Sequence, residues 1–295
     1  MARLRQICSL EKLILPAPAK LNLFLHITGR REDGYHWLQT VFQLLDYSDE
    51  ITLEHRNDGV IKRVKGLEHV PEESDLCIRA AKLLQKETQS TFGVDLSIEK
   101  RLPIGGGIGG GSSDAATVLH GLNTLWGCDL NTSHLAKLGL QLGADVPVFV
   151  EGYSAWAEGV GESLTPITLD EKWFMVIHPN ISVSTAEIFA DKALTRDCET
   201  ITIARFLEGN KKDDSLDNVF EPIVRRMHPE IDKAIDWLSQ FSPARLTGTG
   251  SCLFASFDKK ERAQQVLNDL PKQWQGFVAK GVNKSPLLSS LENIS

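Results

Sequence analysis

The sequence contains no run of eighteen consecutive apolar residues, so nothing in it reads as a membrane-crossing helix. Cysteine is scarce: Cys8, Cys77, Cys128, Cys198 and Cys252 are the five. They are odd in number, widely spaced and form no C-x-x-C pair, which argues against a disulfide framework or a zinc site. Core packing in a reducing compartment, the cytoplasm, is the expectation. A basic excess is missing too. Lys and Arg number 32 against 39 Asp and Glu, a net charge of −7, so no bulk attraction to nucleic acid is expected. Any phosphate site must be local. The stretch MARLRQICSLEKLIL starts basic but lacks a clear apolar h-region and a small-residue cleavage site, so no signal peptide is expected. Residues 1–10 read as a loose extension.

Glycine, by contrast, is concentrated at one place. Six of the seven residues from Gly105 to Gly111 are glycine, within LPIGGGIGGGSSDAA (102–116). Glycine loses more backbone entropy on folding than any other residue, so such a run is costly. It follows an alternating segment, 94–99, that reads as a strand. A periodic apolar face follows it, Ala115, Val118, Leu119, Leu122, Leu125 and Trp126, which reads as a helix capped by Ser112 or Ser113 and ended by Gly127. That flanking order argues against a flexible linker. Gly105, Gly107 and Gly110 satisfy G-x-G-x-x-G, but so dense a run satisfies many patterns. The segment after the helix, GCDLNTSH, is a loop and not the second strand a dinucleotide fold needs. A Walker A loop is excluded as well, because Ser112 stands where its lysine should be. The remaining reading is a phosphate cradle, in which bare backbone amides and a helix N-terminus face an anion.

Elsewhere, residues 13–27 alternate as a strand, and TGRREDGYH (28–36) reads as a turn with Asp33-Gly34 at its tip. Two further strands are expected at 38–45 and 50–54. A helix is expected over 74–87 and another over 133–142, stopping at Gly143. From about residue 165 the pattern restarts: a strand at 172–178, helices near 184–194 and 217–240, a strand at 252–257, a helix at 258–269 and a strand at 276–281. This irregular mixture indicates an α+β fold. The length of 295 residues suggests two domains, 1–164 and 165–295.

Three stretches together resemble the GHMP small-molecule kinases. PIGGGIGGGSSDAA (103–116) is similar to their second motif, P-x-x-x-G-L-G-S-S-A-A in general form. PAPAKLNLFLHITGRREDGYH (16–36) resembles the first motif and RLTGTGSCLFA (245–255) the third. The resemblance runs from about residue 14 to residue 286 and implies a two-domain GHMP kinase fold with the active site in the inter-domain cleft. It implies ATP- and Mg²⁺-dependent phosphorylation of an alcohol. The DGYH turn and LGADVPVF (142–149) point to the branch whose substrate is a cytidine diphosphate conjugate of a methylated tetritol, phosphorylated at its 2-hydroxyl. The alternative is another small alcohol, homoserine or mevalonate.

The resemblance also assigns residues. Pro103, Ile104, Gly105, Gly106, Gly107, Ile108, Gly109, Gly110, Gly111, Ser112 and Ser113 would wrap the ATP phosphates. Ser113 would be a Mg²⁺ ligand, and Lys100 would contact adenosine. Lys20 and Asn22 lie on one face of the first strand, two residues apart. Taken alone, Lys20 reads as a lysine at a sheet end and Asp145 as a helix cap or turn residue. The family pattern instead brings Lys20 and Asp145 together at the acceptor hydroxyl, Asp145 orienting it and Lys20 polarising it. Tyr35 and His36 would form a cytosine pocket with Phe189 opposite and Thr185 nearby; Thr247 and Gly248 of the third motif would approach the substrate phosphates. Asp75 departs from the asparagine carried by family members. A carboxylate beside phosphates would repel them, so Asp75 faces the ribose or base or points away. Nucleic acid and membrane are not expected as partners, and a monomer or weak dimer is.

Overall fold

The structure is a computed structural model that describes residues 10–32, 34–66, 70–208 and 216–294. Asp33, at the expected turn tip, Cys8 and most of the expected N-terminal extension lie outside the described residues.

Two long strands organise the first half: β1 (Lys12–Arg30) and β2 (His36–Arg56), paired antiparallel. Leu13 and Leu15 alternate with exposed Lys12 and Ile14, the mark of a strand with one covered face. Beyond Pro16 nearly every residue is buried. β2 is a single strand where two were expected from 38–45 and 50–54. Its polar middle continues the ladder because Asp49 is buried and fully partnered. The opposite edge of β2 takes β5 (Ala155–Glu158), then β10 (Gln275–Val282), then β4 (Gly93–Glu99). β3 (Ile61–Lys65) joins β4 in parallel through the crossover helix α1 (Leu76–Thr88), and β6 (Ser163–Pro166) closes on β5.

Helix α2 (Gly110–Leu125) packs on this sheet. The expected serine cap is corrected here. The cap is Gly109, at φ 75° with no side-chain bond, so Ser112 and Ser113 lie inside the first turn. Gly127, at φ 63°, follows the last turn as expected of a helix stop. α3 (Thr132–Leu142) follows, capped by Asn131, and the short α4 (Val146–Glu151) starts at VPVFVE, which the sequence reading left unassigned.

In the second half, β10 continues into β7 (Trp173–His178), β9 (Leu253–Phe257) and β8 (Ala244–Leu246). Two helix expectations are corrected. The helix near 184–194 is α5 (Thr185–Ala190), because Asp191 turns extended and Arg196 takes the carbonyls of Phe189 and Asp191. A short α6 (Ile203–Leu207) follows. The segment 217–240 is two helices, α7 (Glu221–Met227) and α8 (Pro229–Ser239), parted at His228 because a residue before proline is pushed out of helical geometry. The chain then runs through α9 (Lys260–Asn268) to β10 and ends in α10 (Pro286–Glu292), whose Leu287 joins the first core.

One core lies between the first sheet and α1–α4, and a second lies under α7 and α8. A third joins Ala19, Leu21, Leu45, Leu102 and Ile108 to Phe174, Cys252, Phe254 and Phe277. That junction is the floor of a cleft.

Candidate active site

The cleft holds a cavity of about 1030 Å³ lined by both halves of the chain. This is at the upper end of the roughly 300–1,000 Å³ typical of one small-molecule site, which suits two ligands. The glycine loop forms one wall, and its backbone orientation follows from its carbonyls. Gly106 O accepts from the Cys252 amide at 3.0 Å, Gly107 O from Lys20 Nζ at 3.2 Å, and Ile108 O from the Lys20 amide at 3.0 Å. In a trans peptide unit the following N–H points opposite to the C=O. The amides of Gly107 and Gly109, both residues that line the cavity, therefore face away from the backbone amides of Cys252 and Lys20. Gly107 has φ 74°, and a Cβ there would stand 2.4 Å from Thr247 O. Gly109, at φ 75°, would drive a Cβ to 2.6 Å from Phe149. The run of glycine is thus a backbone pressed between β1, α4 and the third motif, with the N-terminus of α2 beside it.

Of the residues expected in the phosphate wall, Pro103, Ile104, Gly105, Gly106, Gly107, Gly109, Gly110, Gly111 and Ser112 line the cavity, as does Lys100. Two expected residues do not. Ile108 is buried in the junction core. Ser113 is fully buried with an unpartnered hydroxyl. In the first helical turn it faces the core, while Ser112 faces the cavity.

At the centre, Lys20 Nζ donates to Asn22 Oδ1 at 2.7 Å and stands 3.2 Å from Asp145 Oδ2. Its ammonium also lies 5.2 Å from the centroid of Phe42. Asn22 is fixed in turn: Nδ2 donates to Thr40 Oγ1, and its amide donates to Thr247 Oγ1, both at 3.0 Å. Thr247 is buried behind Asn22 and does not line the cavity, whereas Gly248 does. Asp145 precedes α4, but its side chain makes no capping bond and turns to Lys20.

Beneath the glycine loop lies a charged cluster that the sequence reading missed. Lys100 Nζ pairs with Asp49 Oδ2 and, at 2.9 Å, with Asp114 Oδ2. Asp49 Oδ1 accepts the amides of Arg101 and Leu102 at 2.6 and 2.8 Å. Burial would lower the Lys100 pKa, but Asp114 and Asp49 outweigh it and raise it. Burial pushes the Asp114 carboxyl up to about 7, against the pull of Lys100. Asp75 points away from the loop: it caps α1 through the Cys77 amide at 2.8 Å and pairs with Arg63.

At the far end, Tyr35, His36, Phe189 and Thr185 line the cavity. The His36 and Phe189 rings lie 5.2 Å apart, and Phe220 backs Phe189 at 4.9 Å. His36 Nε2 is buried without a partner. Burial lowers the His36 pKa, and Arg196 and Arg30 lower it further. Thr185 Oγ1 meets Thr249 Oγ1 at 2.9 Å. Thr40 and Phe42 beside Lys20, and Val160, Gly161 and Phe220, also line the cavity; none carries a motif signal in sequence.

A backbone cradle for phosphates, facing a lysine–aspartate pair across a two-lobed cleft, is the architecture of a small-molecule kinase. The GHMP kinases N terminal domain matches residues 75–153 and the GHMP kinases C terminal domain matches residues 200–276. A 4-diphosphocytidyl-2-C-methyl-D-erythritol kinase from Hahella chejuensis is 57% identical over 96% of this chain and 97% of its own. A crystal structure of 4-(cytidine 5′-diphospho)-2C-methyl-D-erythritol kinase superposes with a TM-score of 0.80 at 30% identity, covering 92% of this chain and all of that one. Homoserine kinase from Cytophaga hutchinsonii shares the fold alone, with a TM-score of 0.68 at 15% identity over 94% of this chain and 96% of its own. The chain belongs to the GHMP kinases, within the family of 4-diphosphocytidyl-2-C-methyl-D-erythritol kinases.

Proposed function

We propose that this chain transfers the γ-phosphoryl group of ATP to the 2-hydroxyl of 4-diphosphocytidyl-2-C-methyl-D-erythritol, giving the 2-phosphate and ADP. The observation that carries the reading is the aromatic end of the cavity. Tyr35, His36 and Phe189 offer stacking faces and a buried, unpartnered ring nitrogen to a pyrimidine. Homoserine and mevalonate have no base to fill it.

The two lobes, divided near residues 164 and 165, share the acceptor end: Tyr35 and His36 come from the first, Thr185 and Phe189 from the second. The amides of Gly107 and Gly109, the first turn of α2 and the Ser112 hydroxyl receive the triphosphate. Mg²⁺ supplies charge neutralisation of the phosphates. Among the described residues no cluster of three His, Cys, Asp or Glu could hold a metal, so the ion relies mainly on phosphate and water oxygens, with Ser112 the hydroxyl at hand. Asp145 orients the acceptor hydroxyl and accepts its proton late in a loose transfer. Lys20, held by Asn22 and Gly107 O, polarises the same oxygen. No helix among the described residues is long and apolar enough to cross a membrane.

Coupled ADP release tests the reading. Turnover with the diphosphocytidyl substrate is expected, with little or none on homoserine or mevalonate; the reverse preference would overturn it.

A further inference from the structure

Residues 217–221, DNVFE, belong to no kinase motif recognised in the sequence, where they read simply as the start of a helix. They are not helical until Glu221. Asp217 and Val219 bracket Leu25 on β1: Leu25 N donates to Asp217 O at 3.1 Å, and Val219 N to Leu25 O at 2.9 Å. This pairing holds Asn218 opposite Leu25, three residues along β1 from Asn22, and buried at 2% exposure.

Its carboxamide is almost fully used. Nδ2 donates to Leu246 O at 3.0 Å and to Gly248 O at 2.8 Å, while Oδ1 accepts the Phe220 amide at 3.0 Å. Glu221 completes the grip by accepting the Leu246 amide at 2.8 Å. The gripped segment is the third glycine-rich turn. That turn lies in backbone contact with the glycine loop: a Cβ on Gly248 would stand 2.9 Å from Gly107 O. Gly107 O is also an anchor of Lys20 Nζ, and Thr249 of the same turn meets Thr185 on the acceptor wall. Phe220, oriented by Asn218 Oδ1, backs Phe189.

We infer that Asn218 is a positioning residue for the phosphoryl transfer, holding the turn 247–250 against the glycine loop and thereby setting both the Lys20 anchor and the acceptor wall. It does not line the cavity. A buried amide with both protons given to carbonyls fixes two backbone points at once, and no aliphatic residue of the same size replaces it without leaving acceptors unpaired. Displacements near 1 Å at a reacting centre are enough to slow a reaction strongly.

This inference rests on the acceptor proposed above, and its test separates the two. Asn218→Asp keeps the shape but offers no donor to Leu246 O or Gly248 O. The control is Asn283→Asp, which loses its donation to Leu169 O while still accepting the Leu169 amide, away from the cavity. Kinetics are measured well below the melting temperature of both variants. Asn218→Asp is expected to lower kcat/KM for the diphosphocytidyl acceptor about tenfold or more, with a fall in kcat as well as a rise in KM. Asn283→Asp is expected to lose Tm but to keep kcat and both KM values within about twofold of wild type. Unchanged kinetics in Asn218→Asp, or equal losses in the two variants, would overturn the inference. Should Asn218→Asp fail to fold, Asn218→Ser, with one remaining donor, enters the same comparison. If the wild type does not phosphorylate the acceptor, the proposed function fails by itself. The tether is then judged by calorimetric ATP affinity, weakened in Asn218→Asp and unchanged in Asn283→Asp if it holds.

Discussion

Lys20 Nζ and Asp145 Oδ2 stand 3.2 Å apart, yet the lysine side chain is 3% exposed and the aspartate 37%. The lysine is therefore the fixed partner, held by Asn22 Oδ1 and Gly107 O, and the carboxylate is the one open to a ligand. Lys20→Ala and Asp145→Asn are expected to lower kcat on the order of a hundredfold or more, the scale of losing one preorganised polar group at a reacting centre. ATP, bound by backbone, should still bind to both variants in a calorimetric titration. Near-normal turnover in either would remove the pair from the mechanism.

The glycine loop makes a sharper, reciprocal prediction. A Cβ on Gly106 would stand 2.5 Å from Cys252 Sγ, and its other neighbours lie at ordinary contact distance, 3.5 Å. Gly106→Ala should weaken ATP binding, and Cys252→Ala in the same chain should restore part of it. Gly107→Ala meets the backbone oxygens of Thr247 and Gly250 at a positive φ, so Cys252→Ala should not rescue it. A double-mutant cycle on ATP affinity reads the difference.

His36 sets a pH dependence. Burial, then Arg196 and Arg30, lower its pKa in the folded protein below 6.5. The unfolded chain thus binds the proton more readily. The stability that neutral His36 contributes is complete above pH 6.5 and is lost as pH falls from there through the lowered folded value. Acceptor KM should stay flat through pH 6.5 and rise only at lower pH, when the imidazole charges. His36→Gln should flatten that rise across about pH 5 to 8. A rise that begins above pH 6.5 in the wild type would contradict the assignment.

The buried cluster under the loop is predicted to act on stability. Asp49→Ala strips one carboxylate from Lys100 and the acceptor from the Arg101 and Leu102 amides. Removing one member of a buried ion pair costs about 3–5 kcal/mol. Urea unfolding should show a loss of this order, and a change below about 1 kcal/mol would mean the cluster behaves as a surface pair.

How much of the site was legible depended on whether a residue's role followed from local pattern. The strand period put Lys20 and Asn22 on one face, and the glycine run between a strand and a helix announced a cradle. Asp145 was ambiguous, because an aspartate before a short helix looks the same whether it caps or faces a cleft. The Ser112/Ser113 cap failed because the residue at the true cap, Gly109, is chosen by its left-handed φ and by Phe149, which is distant in sequence. The long helix expected at 217–240 failed at Pro229, whose effect on His228 is local and readable, and at DNVFE, whose pairing with Leu25 is not.

The sequence by itself determined the chemistry on offer: a loop of bare amides without a cation, a strand carrying a lysine, an aspartate after a glycine and an aromatic–histidine turn. These depend on residue type and short spacing, which the chain states directly. Only the tertiary structure decided which groups meet. It tied the carbonyls of Gly106, Gly107 and Ile108 to Cys252 and Lys20. It sent Ser113 and Ile108 into the core and brought Lys20 to Asp145. It also set the third turn against the glycine loop and gave its Gly248 carbonyl to Asn218. Those outcomes come from long-range packing of two lobes on a shared core, where a contact is fixed by burial and hydrogen-bond satisfaction and leaves no periodic trace in the sequence.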